Sequence, residues 1–138
     1  MRIKIFLILC FLCISCISQE VTHKVEHKIN RIRTLEYTLR FKETYPKWSH
    51  DKEIPISLKN AITKSKIAVT KLHRLRKHEF FKMNRIELLE HGKGLWFWKI
   101  TWEVNLAGFP PSHPLTLPTY VLLDGTVSKG KFVDKESL

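Results

Sequence analysis

The sequence predicts an α+β fold in which one amphipathic helix lies across a curled antiparallel sheet of about four strands. Three observations carry that prediction. Residues 95–106 alternate strictly, with Trp96, Trp98, Ile100, Trp102, Val104 and Leu106 on one parity and Lys99, Thr101, Glu103 and Asn105 on the other. Period-two alternation of that length is the pattern of a strand with one apolar face. Residues 57–77 carry an apolar stripe at helical spacing, and Asp124-Gly125 marks a tight turn between two further apolar runs.

The tryptophan strand needs a cover. Three tryptophans on one face bring roughly 450–750 Å² of surface, at about 150–250 Å² each. The largest exposed apolar patch on a typical monomer is about 300–600 Å². The helix over residues 57–77 is the natural lid. Ser57 stands as its N-cap behind Pro55, and Leu58, Ala61, Ile62, Ser65, Ala68, Val69 and Leu72 form the stripe. Lys59, Thr63, Lys66, Thr70 and Arg74 point the other way, and Lys71, Arg74, Arg76 and Lys77 crowd the C-terminal end, where cations favour the helix dipole.

The remaining elements follow in order. Residues 1–18 open with Arg2 and Lys4, continue with an uncharged apolar run from Ile5 to Ile17, and reach small residues at Ser15 and Ser18. That is the layout of a signal peptide, so the chain is expected to be exported, periplasmic or secreted. Residues 19–50 are expected to be an N-terminal extension, helical over residues 21–33 and extended beyond, where Leu35, Tyr37, Leu39 and Phe41 share one side. The small α+β domain is expected to span residues 51–138. Its strand over residues 79–90 breaks parity between Phe81, Met83 and Ile86, which predicts a bulge. His91-Gly92-Lys93-Gly94 supplies a tight connection, and residues 107–118, rich in proline, predict a stiff loop. A last hairpin is expected over residues 119–123 and 126–133.

Charge and cysteine bound the function. The 138 residues hold 24 Lys and Arg against 13 Asp and Glu; losing Arg2 and Lys4 with the leader leaves 22 against 13, a net +9. In an exported chain that excess either serves general solubility or points to anionic lipid headgroups, cell-wall polymers or an acidic protein face rather than to nucleic acid. Cys10, Cys13 and Cys16 all fall inside the leader, so a cut after Ser18 leaves a mature chain without disulfides or a Cys–His nucleophile. Leu12-Cys13-Ile14-Ser15-Cys16 also resembles a bacterial lipobox, which would make Cys16 the lipidated residue of an accessory lipoprotein, although Leu12 sits one position too early.

His23-Lys-Val-Glu-His27 fits the H-x-x-E-H zinc pattern. On a helix, His23 and His27 would share a face and Glu26 would serve as base, giving a small zinc hydrolase as the alternative function. Such a site also needs a third ligand and a sheltered pocket. With no other ligand spacing and no phosphate loop, no cofactor is expected. The partner-binding candidates are Phe97 and Lys99 on the second face of the tryptophan strand, Phe109 in the loop beyond it, and Lys66 and Arg74 on the helix.

The helix residues Ala61, Ala68 and Val69, the alternating strand around Trp98–Trp102 and Tyr120-Val-Leu-Leu-Asp-Gly125 together resemble the PepSY domain family over roughly residues 57–133. A cystatin-like module is the looser match. The proline-rich loop is longer than the family's link, and Asp124-Gly125 is a shorter turn than its closing hairpin carries. The resemblance implies a small exported, non-enzymatic envelope module that binds a protein, restraining a peptidase for instance, or senses a ligand, and it implies no catalytic residues.

Overall fold

In the computed structural model, which describes residues 20–109 and 111–134, the chain forms one helix and two three-stranded antiparallel sheets. The α+β class holds. The single curled sheet of about four strands is corrected to two sheets, ordered β1-β2-β6 and β3-β4-β5.

The first sheet begins where a helix was expected. Val21–Lys28 is strand β1, paired along its length with β2, Arg33–Phe41. Val21, Val25 and Ile29 are four apart, an even spacing that suits one face of a strand as well as one face of a helix. The turn decides between them. Asn30 Oδ1 accepts hydrogen bonds from Ile32 N (3.0 Å) and Arg33 N (2.8 Å), and Ile29 N donates to Arg33 O (3.0 Å). This Asx turn reverses the chain and leaves Ile32 exposed. Beyond it Leu35, Tyr37, Leu39 and Phe41 are all buried, so the extended half of the segment, expected to lie outside the domain, supplies core.

The connection to the helix is pinned by Tyr45. Its hydroxyl donates to Trp96 O (2.5 Å) and accepts from Leu123 N (2.6 Å), tying residues 42–57 to the second sheet. Helix α1 spans Leu58–Leu72, with Ser57 Oγ accepting from Asn60 N (3.3 Å). It ends five residues earlier than the charge pattern predicts, because the stripe stops at Leu72 and His73 is already extended.

The second sheet is β3 (Glu79–Glu90), β4 (Trp96–Leu106) and β5 (Leu115–Leu122). The parity break appears as a register shift between Met83 and Arg85. The β3–β4 turn closes with His91 N donating to Leu95 O (2.9 Å), and Gly92, Lys93 and Gly94 all have positive φ. The proline-rich loop is shorter than expected, since β5 starts at Leu115 and takes Pro118 into the strand. Proline is tolerated there because β5 pairs only with β4 among the named strands. After the Asp124-Gly125 turn the expected hairpin is brief. Val127 bridges Val121, and the chain then leaves this sheet so that β6, Lys131–Asp134, pairs with β2.

The second sheet is the middle layer. Ile100, Trp102, Leu117 and Val121 face α1, whose Ala61, Ser65 and Val69 are buried. Trp102 Nε1 donates to Ser65 Oγ (2.7 Å), Ser65 Oγ lies 2.5 Å from Thr119 Oγ1, and Thr119 Oγ1 donates to Ile100 O (3.1 Å). This relay satisfies every polar group the helix brings into the core at that point. On the opposite face Phe97 and Tyr120 meet Phe41 and Tyr37 of the first sheet.

Candidate functional site

The zinc-type motif is the first to be placed, and its geometry corrects the helical expectation. On β1, His23 and His27 are four residues apart in an extended chain, about 13 Å at ~3.3 Å per residue, and Glu26 has the opposite parity. The two imidazoles have separate engagements. His23 lies against His91 with ring centroids 4.2 Å apart and planes tilted by 32°, and His91 in turn lies parallel to Phe41. His27 Nε2 lies 3.2 Å from Thr116 Oγ1. Burial lowers the pKa of both, with His91 adding to the effect at His23 and Lys99 at His27, against the opposing Thr116 bond. Among the described residues no three His, Cys, Asp or Glu side chains converge on one metal position.

The expected surface of Phe97, Lys99 and Phe109 is not assembled. Phe97 is 4% exposed, packed under the first sheet against Phe41 and Tyr120. Lys99 is half-buried, with Nζ 3.6 Å from Glu87 Oε2. Phe109 is 76% exposed but lies beyond the far end of β4, whose span from Phe97 to Leu106 is about 30 Å. The correction has one cause: the face read as open is covered by β1 and β2. Cys16 and the leader lie outside the described residues.

Lys66 and Arg74 are exposed, Lys66 on the outer side of α1 and Arg74 just past its end. They belong to a wider feature. Between Glu53 and Glu79 there is no acidic residue, while Lys59, Lys64, Lys66, Lys71, Arg74, Arg76 and Lys77 all fall there. Carboxylates meet cations elsewhere, as in Arg33 with Asp134, Arg40 with Glu20, and Arg85 and Lys99 with Glu87. The exposed side of α1 therefore carries lysines and no carboxylate of its own, while just past its end Glu79 lies 3.5 Å from His73 Nε2.

One flank of that helix borders a cleft of about 630 Å³, bounded on its other side by residues 127–132. Tyr37, Ala68, Leu72, Val127 and Phe132 line it, with Lys64, Ile67, Lys71, Ser128 and Lys129 around them. Lys64 and Lys71 are seven residues apart on one side of α1, about 10 Å along the axis. Two features shape the hollow. Ala68 presents only a methyl group, and Gly130 lets the backbone run so close to Tyr37 that a Cβ there would stand 2.8 Å from the ring. The Tyr37 hydroxyl donates to Pro118 O and, buried beside Tyr120, is held far above its usual pKa. It stays neutral and serves as a wall.

Sequence reasoning did not find the cleft. Its lining comes from β2, α1, β5 and the crossing to β6, so no local spacing announces it. The available signal was the isolated Lys129-Gly130 pair beside an acid-free helix. No protein-family model, curated protein or solved structure matches the chain. Fold and site define a small α+β protein with a basic helix face and an amphipathic cleft, and no helix among the described residues is long and apolar enough to cross a membrane.

Proposed function

We propose that this chain is an exported, non-enzymatic envelope module that docks on an anionic envelope component, foremost a layer of acidic lipid headgroups, through the outer face of α1. The observation that carries the reading is the acid-free stretch from residue 54 to residue 78, with Lys59, Lys66 and Arg74 exposed on and just after the helix. A leader over residues 1–18 agrees with an extracytoplasmic destination. Docking is electrostatic and reversible: each Lys or Arg held near an anionic membrane contributes about 1 kcal/mol.

Co-sedimentation of the mature chain with vesicles tests this. Binding is expected to vesicles rich in phosphatidylglycerol and not to neutral phosphatidylcholine, and to fall away as salt shortens the Debye length. Reversing Lys59, Lys66 and Arg74 to Glu together removes roughly 3 kcal/mol or more, about two orders of magnitude in affinity. Equal binding to neutral vesicles, or binding that survives high salt, sinks the reading. Retention on purified cell-wall polymer without retention on anionic vesicles replaces lipid with polymer as the partner.

A further inference from the structure

We infer that the cleft between α1 and residues 127–132 is a binding site for a single-chain anionic amphiphile, its carboxylate or phosphate head held by Lys64, Lys71 and Lys129 and its acyl chain laid along Ala68, Leu72 and Phe132. This site is separate from the docking face, which uses Lys59, Lys66 and Arg74 on the other side of the helix and beyond its end, and it stands or falls without it.

Size, composition and rigidity point the same way. At about 630 Å³ the hollow falls within the roughly 300–1,000 Å³ of small-ligand pockets. Its lining contains three lysines and no carboxylate, so the cations have no counter-charge within the cleft. Between them the surface is aliphatic and aromatic, and Ile67 at the lip is 52% exposed. A bare inorganic anion would use the lysines and leave the apolar floor in water. A neutral hydrocarbon would cover the floor and leave the lysines idle. A molecule with one charged end and one apolar chain satisfies both.

The polar groups of the second wall tell against an extended peptide. Ser128 N already donates to Tyr120 O (3.0 Å) and its hydroxyl to Thr38 O (3.1 Å), and Thr126 O accepts from Leu122 N (2.9 Å). A peptide laid here would find the Ser128 N–H and hydroxyl already committed. An acyl chain needs neither. The walls are also fixed in advance, Tyr37 by Pro118 O and by the approach of Gly130, so little ordering is needed on binding.

The test is titration calorimetry of the mature chain with laurate below its micelle concentration, with dodecanol and inorganic phosphate as controls. One laurate per chain is expected, with dodecanol and phosphate each weaker by about tenfold or more. Ala68→Phe fills the hollow and is expected to abolish laurate binding while leaving vesicle co-sedimentation intact. The triple change Lys64→Ala, Lys71→Ala and Lys129→Ala is expected to weaken laurate by about tenfold. Amide shifts in the wild-type chain supply a readout that needs no variant to fold: on adding laurate they should cluster at residues 64–72 and 127–132. No binding, equal binding of dodecanol, laurate binding unchanged by Ala68→Phe in a folded variant, or shifts confined to another region overturns the proposal. So does a cleft that takes an acidic peptide while refusing laurate.

Discussion

The two faces of the β3-β4-β5 sheet are closed by different chemistry. Under α1 the contact is mainly aliphatic, with Ile100, Leu117, Val121, Ala61 and Val69 packed around a single polar relay from Trp102 through Ser65 and Thr119 to Ile100 O. Under the first sheet it is aromatic and imidazole-rich, with Phe97, Tyr120, Phe41, Tyr37, His23, His27 and His91 in or beside the contact. The first face is apolar by pattern. The second alternates through lysine, threonine and glutamate, yet it is covered: Lys99 meets Glu87 and Thr116 meets His27, while Asn105 Nδ2 is buried without a hydrogen-bond partner. A polar parity in a strand therefore marks groups that need partners, and water is only one way to supply them.

The comparison breaks most sharply at the large side chains. Trp102→Ala and Phe97→Ala are each expected to cost roughly 3–5 kcal/mol in chemical denaturation, since each empties a buried site. If Phe97→Ala stays within about 0.5 kcal/mol of wild type, as exposed positions do, the second face is open and the two-sheet arrangement is wrong. Ser65→Ala comes next. It leaves the buried Trp102 Nε1 and Thr119 hydroxyl without their shared partner and is expected to cost about 1–3 kcal/mol, read from the same denaturation midpoints. An unchanged midpoint would mean that the relay is replaced by other bonds.

How much of this was legible follows the same division. The tryptophan strand, the Ser57 cap, the stripe of α1 and the parity break before Ile86 were visible because each is encoded within a few residues. The N-terminal hairpin was misread because its apolar residues Val21, Val25 and Ile29 sit at a spacing common to both periods, and Asn30, which settles the matter, acts through a turn rather than a pattern. Covering of Phe97 could not be foreseen without that hairpin. The second sheet-to-sheet crossing was hidden for a further reason: β6 is only four residues long and pairs with β2, about a hundred positions away. The basic face was legible as charge, whereas the cleft, assembled from distant segments, was not.

The smallest expected effect is the one that tests the histidine side of the comparison. His23 and His27 are harder to protonate in the fold than at the ordinary value of 6.5, burial being the first cause for each. Between the folded and unfolded values the unfolded chain binds more protons, so stability rises with pH across that interval. Their contribution is complete above about 6.5 and is lost as pH falls from there through the lowered values of the folded state. Asp51 and Glu79 have their carboxyls held below the usual range by hydrogen bonds from Ser49 and from the Arg76 backbone, so they titrate at lower pH and do not confuse the window. Denaturation midpoints measured between about pH 7 and about pH 5 should therefore decline, and His23→Phe with His27→Gln should flatten the decline while leaving α1 in place. Ser65→Ala removes no titratable group, so it should shift the whole curve downward without changing its slope. A slope that persists in the double histidine variant would assign the proton uptake to some group outside this contact.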